Sequence, residues 1–166
     1  MRVVWRRAAL AAVGAMLAGC ASDGTHETAG CIPDASGRAA EVDWSAAQTV
    51  DVRIRHDDFS PIVIGLLRER PYVLRFSNGD DERHEFSAPD LFRTVVLDGI
   101  AVDGRSQPAG CYTRVAVPAN GTAEVRFMPL LDGRYEFKDT DLFGMTYVDL
   151  GLSPETGQGF GVVQVR

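Results

Sequence analysis

The sequence predicts an all-β domain, a sandwich or barrel, on three observations. Short apolar runs alternate with polar residues at period two from position 49 onward. Turn signals such as Asn78-Gly79, Asn120-Gly121 and Asp132-Gly133 separate these runs at hairpin spacing. No stretch carries the 3.6-residue periodicity of a convincing amphipathic helix, and no internal repeat or low-complexity tract competes.

Taken in order, Val50, Val52 and Ile54 alternate with Asp51, Arg53 and Arg55, a strand with one buried face. His56-Asp57-Asp58 closes it as a polar turn. Phe59 to Ile64 reads as the next strand, with Pro61 assigning it to an edge or a bulge. Arg68-Glu69-Arg70-Pro71 turns the chain into Tyr72 to Ser77, after which Asn78 opens an acidic loop that ends at His84, Glu85 and Phe86. The glycines and prolines between Ser87 and Cys111 predict a long excursion, with a helical turn at Asp90 to Arg93 and regular structure only at Thr94 to Leu97. Strands resume at Thr113 to Val117, Thr122 to Met128, Arg134 to Lys138 and Gly161 to Val165.

The N-terminus is organised differently. Arg2, Arg6 and Arg7 precede a short apolar run from Ala8 to Leu17, too short to span a bilayer as a helix. The tetrad Leu17-Ala18-Gly19-Cys20 that follows resembles the lipobox of bacterial lipoproteins. That resemblance implies a signal peptide over 1–19 and a lipid anchor on Cys20 as residue one of the mature chain. Ala21, where an aspartate would favour inner-membrane retention, leans the expected location toward the outer membrane. Residues 20–47, rich in Ala, Gly, Ser, Thr and Asp, read as a flexible tether carrying a solvated His26, with Trp44 near its docking point. Residues 48–166 form the folded domain.

Three of the 17 basic residues and none of the 23 acidic ones lie in the signal, which leaves 14 against 23 and a formal charge of −9. Such a surface offers no broad basic face, so nucleic acid is not an expected partner. With Cys20 lipidated, Cys31 and Cys111 are left either as a disulfide, in a compartment that permits one, or as two soft-metal thiols. A bridge would close a loop of about 80 residues and contribute roughly 4 kcal/mol.

Phe59-Ser60-Pro61, Ile64, Val73, Asn78 ahead of His84 and Phe86, and Gly133-Arg134-Tyr135-Glu136-Phe137 together resemble the periplasmic cupredoxins over 49–166. The resemblance implies a cupredoxin-like Greek-key β-sandwich or barrel in which the first strand runs parallel to the third. It also implies a copper site at one pole, with His84 as the first histidine and Met145, after Gly144, as the axial ligand. Two family ligands are missing. Lys138-Asp139 stands where the copper cysteine is expected, and Thr140 to Phe143 holds no second histidine. A blue-copper centre needs thiolate bonding, which Asp139, a hard oxygen donor, cannot supply. The segment Thr146 to Phe160 looks like an insertion before the final strand.

The resulting candidate site comprises His84, Met145, His56 and Asp139, with Glu85 as a further oxygen donor, holding copper in a non-blue manner. The competing readings are a metal-free His84 that hydrogen-bonds across its loop, a solvated His56, and a Met145 that packs the core. Asp57, Asp58, Asp80, Asp81 and Glu82 form either a hard-cation site or a solvated acidic rim. No Gly-x-Ser-x-Gly elbow, phosphate-cradling glycine loop or CxxC pair is present, so the expectation is a binding protein rather than an enzyme. Two functions remain: a lipid-anchored module that binds or hands on copper, or a metal-free scaffold for a periplasmic protein partner. The latter would use Phe143, Tyr147, Leu150 and Leu152.

Overall fold

The computed structural model describes residue 32, residues 34–140 and residues 159–166. Eleven strands among them form two sheets packed face to face. Strand β1 (Gln48–Arg55) buries Val52 and Ile54 and exposes Arg53 and Arg55, as its alternation requires. It turns into β2 (Asp58–Ser60) through His56 and Asp57, both at positive φ (53° and 64°), the pattern of a type I′ hairpin. The stretch Phe59 to Ile64 is not one strand. The chain leaves the first sheet after Ser60, passes a cis Ser60-Pro61 peptide, and enters the second sheet as β3 (Val63–Leu66). Pro61, which cannot donate to a ladder, sits at the crossing between the sheets.

Strand β4 (Tyr72–Asn78) lies parallel to β1, bringing Ile54 beside Asn78, as the resemblance implied. Next come β5 (His84–Ser87), a short helix α2 (Pro89–Phe92), and β6 (Val95–Val102), which runs well beyond the expected Leu97. A bulge between Leu97 and Gly99 interrupts its pairing with the later strand over Thr122–Pro129 and hides its period in the sequence. The remaining strands are β7 (Arg105–Ser106), β8 (Arg114–Val117), β9 (Thr122–Pro129), β10 (Gly133–Lys138) and β11 (Phe160–Val165). One sheet is ordered β2-β1-β4-β9-β6-β7 and the other β3-β11-β10-β5-β8.

The core between the sheets is centred on Phe86, whose ring lies 4.8 Å from that of Phe76, 4.9 Å from Phe137 and 6.3 Å from Phe59. These residues come from both sheets, so the cluster holds the layers in register. The last part of the expected tether is also structured. Residues 35–40 form a helix, α1 (Ala35–Ala40), which packs against β6, and the indole N–H of Trp44 donates to Ala39 O at 2.8 Å.

Candidate metal centre

Strands β1, β4 and β10 end at one pole, where β2, β5 and β11 begin. The loop from β4 to β5 is pinned there by Asn78. Its amide nitrogen donates to Glu82 O at 2.7 Å and Pro118 O at 2.9 Å, and its amide oxygen accepts the Asp80 N–H at 2.9 Å. Asn78 is buried, so each of these bonds replaces one to water.

Asp80, positioned in this way, reaches across to the β1–β2 hairpin. Its two carboxylate oxygens accept the backbone N–H of His56 at 3.0 Å and of Asp57 at 3.3 Å. Burial pushes the Asp80 carboxyl up, but the two N–H donors and the nearby His84 and His56 rings outweigh it and hold the carboxyl below its ordinary range.

His84, the first residue of β5, is 1% exposed. Its Nδ1 lies 2.5 Å from Asp139 Oδ2, and Asp139 Oδ1 accepts the Glu85 N–H at 3.0 Å. Nε2 points the other way, 3.3 Å from Asp80 Oδ2 and 4.0 Å from Asp57 Oδ1, yet no hydrogen bond satisfies it. Nε2 and one oxygen from each of Asp57 and Asp80 lie within 4.8 Å of one another, a spacing at which three donors can share one ion.

No protein-family model and no curated protein matches the chain. Solved structures do match. A multicopper oxidase from Pseudomonas thermotolerans superposes with a TM-score of 0.51 at 17% identity, over 75% of this chain and 31% of the oxidase. The copper nitrite reductase of Nitrosomonas europaea gives 0.50 at 8% identity, over 75% of this chain and 50% of the reductase. Auracyanin B gives 0.48 at 16%, over 75% of this chain and 93% of that protein. The fold is cupredoxin-like. The chain spans a third to a half of the two enzymes, and at these identities the likeness concerns the fold alone.

On the cupredoxin-like fold the expected residues separate. His84 is at the expected pole. His56 is exposed and lies outside the cluster of potential ligands: the hairpin contributes its backbone N–H and the neighbouring Asp57 carboxylate. Asp139 is in contact with His84, but on the Nδ1 side. At 2.5 Å the two atoms are bonded to each other and too close to flank an ion, whose N and O ligands each sit about 2 Å from the metal. Glu85 is turned to Arg83 Nη2 at 2.9 Å, to Arg114 Nη1 at 3.6 Å and to the Thr140 hydroxyl, so its carboxylate is already in use. Asp58, Asp81 and Glu82 form an exposed rim. Met145, Cys20, Cys31 and the apolar residues of the expected insertion lie outside the described residues.

Asp57 and Asp80 stood among the acidic residues of the sequence without a signal to single them out. The only local hint is that Asp80 and His84 are four apart. Cys111 is at the other end of the molecule: it precedes β8, whose last residue, Val117, is the one paired with His84.

Proposed function

We propose that this protein is a cell-envelope module that binds divalent copper in a non-blue site on a cupredoxin-like scaffold, through His84 Nε2, Asp57 and Asp80. The observation that carries the reading is the orphaned Nε2. The Asp139 carboxylate is placed as an acceptor, Oδ1 for the Glu85 N–H and Oδ2 for His84, so Nδ1 carries the ring proton. In the neutral ring Nε2 is then a bare lone pair facing the oxygens of two carboxylates, with no hydrogen-bond donor to any of them from the ring. That arrangement calls for a cation.

The donor set suits Cu(II). Imidazole with carboxylate oxygens favours divalent N,O-binding ions, and Cu(II) stands at the top of the affinity order for such ligands. The same donors do not fit a blue centre, because none of them is a thiolate and Asp139, at the position where the resemblance expects one, is itself bonded to the histidine. When bound, the ion would supply a fixed positive charge. The protein's residues hold it through three groups set on three different segments, and Asp139 orients the ring from behind.

The remaining features of this reading concern location. A lipid on Cys20 would tether the domain to the periplasmic face of the envelope, with the outer membrane preferred from Ala21. A Cys31–Cys111 disulfide is supported by two facts: Cys111 is sulfur-bonded, and Ile32, next to Cys31 in sequence, lines the same cavity as Cys111.

A second reading uses the same observation. A proton on Nε2 answers the two carboxylates as a metal would, and His84 is then a buried imidazolium stapling a metal-free scaffold that serves a periplasmic protein partner. Titration with Cu(II), followed by calorimetry and electron paramagnetic resonance, separates the two. One ion per chain with N,O ligation, abolished by His84→Ala, is the expected result. Stoichiometric binding that His84→Ala leaves unchanged overturns the site, and no binding at all selects the metal-free reading.

A further inference from the structure

We infer that Asp139, at the position where the fold resemblance expects a cysteine, is a positioning residue whose carboxylate fixes the tautomer of His84 and so decides whether Nε2 can take a cation. The consequence for metal rests on the copper reading above, whereas the tautomer itself does not.

Asp139 is almost completely buried, with 2% of its surface exposed, and is held on every side. Its backbone N–H donates to Gly159 O at 2.8 Å, and Gly159 is packed so closely that a Cβ there would stand 2.9 Å from the Asp139 Cβ. Its Oδ1 receives the Glu85 N–H, and its Oδ2 faces His84 Nδ1. Both carboxylate oxygens therefore act as acceptors in fixed directions. The neutral ring answers by keeping its proton on Nδ1, which leaves Nε2 open toward Asp57 and Asp80.

An amide in the same place has only one orientation that makes both bonds. In Asp139→Asn the oxygen must accept the Glu85 N–H, because the opposite arrangement would set an NH₂ against that N–H. The NH₂ then faces Nδ1 and donates to it. The ring proton moves to Nε2, where it points at Asp80 Oδ2, 3.3 Å away, and fills the position a metal would occupy. A one-atom change that leaves the fold and all three proposed ligands in place should thus close the site.

The test uses ¹⁵N-histidine-labelled full-length protein, at a pH where the ring is neutral, with Cu(II) affinity measured alongside. In the wild type Nδ1 should give a pyrrole-type and Nε2 a pyridine-type signal, and Asp139→Asn should exchange the two. Asp139→Ala, which removes the orienting group without offering a donor, should weaken Cu(II) binding by roughly 10- to 100-fold. Asp139→Asn should weaken it further. The inference is overturned by an Nε2-protonated ring in the wild type, a reading that needs no variant to fold, or by an Asn variant that binds Cu(II) as well as the Ala variant. The expected tautomers with no copper bound to either protein would uphold the role of Asp139 and overturn the copper reading alone.

Discussion

The backbone N–H of His56 donates to Oδ1 of Asp80 at 3.0 Å, across 24 positions of sequence. This bond explains how a histidine expected as a ligand serves the site without its ring. The hairpin places His56 and Asp57 in the left-handed region, which turns their N–H groups toward Asp80 and sets the Asp57 carboxylate beside His84. Left-handed backbone at two non-glycine residues is costly, of order 1 kcal/mol each, and the Asp80 carboxylate offsets that cost.

Replacing His56 by asparagine, which tolerates the left-handed region at least as well, should leave Cu(II) affinity within about twofold and stability within about 1 kcal/mol of wild type. Calorimetry and urea unfolding would check it. A tenfold loss of affinity would return the His56 imidazole to the ligand set.

Gly161 in β11 lies opposite Phe137. A Cβ at this position would fall on the Phe137 ring and come within 2.5 Å of Ile62 O. The ring belongs to the central aromatic cluster and the oxygen to the backbone that follows the sheet crossing, so neither can yield easily. Gly161→Ala should destabilise by about 1–3 kcal/mol through overpacking, read as a lower urea midpoint with an unchanged slope.

How much of this was legible in the sequence depended on the range of the interactions involved. Period two exposed β1, β4, β9 and β10, and the Asn-Gly signal located the loop before His84, because these features are local. The second half of β6 was missed because its bulge and Gly99 break the alternation, and α1 because six residues give too short a helical pattern. Bringing Asp57 to Asp80 and to His84 spans 23 and 27 positions and depends on the parallel register of β1 and β4, which no local pattern encodes. Asp139 was found for its position, but its role depends on the direction of one hydrogen bond.

Tyr112 offers a pH-dependent check at the other end of the domain. Burial pushes its phenol above the ordinary tyrosine value, and its hydroxyl donates to Pro108 O at 2.5 Å. The folded state thus favours the protonated phenol. This contribution is fully present below about pH 10, the unfolded value, and is lost as pH rises through the higher folded value. Tyr112→Phe should therefore flatten the alkaline decline in stability, and should remove one phenol from the far alkaline part of an absorbance titration. A variant whose decline between pH 9 and 11 matches wild type would contradict this.

The last prediction concerns Asn78, on which the acidic loop depends. Its amide NH₂ serves Glu82 O and Pro118 O while its oxygen takes the Asp80 N–H, so one buried side chain ties the start of the loop, its far end and the β8–β9 turn together. Asn78→Asp keeps the shape and the acceptor but removes both donors. Glu82 O then loses this partner, Pro118 O keeps only the Gly121 N–H, and a carboxylate oxygen is forced toward both from a buried side chain. The lost hydrogen bonds and the carboxylate set against two carbonyls should together lower stability by about 1–3 kcal/mol. Because the Asp80 N–H still has its acceptor, the backbone at Asp80 keeps one anchor while the rest of the loop loosens. Cu(II) affinity should then fall, but by less than in His84→Ala, where the nitrogen ligand itself is gone. Equal losses in the two variants would mean that Asn78 does more than hold the loop, and unchanged affinity in Asn78→Asp would mean that Asp80 is positioned by the hairpin N–H groups alone.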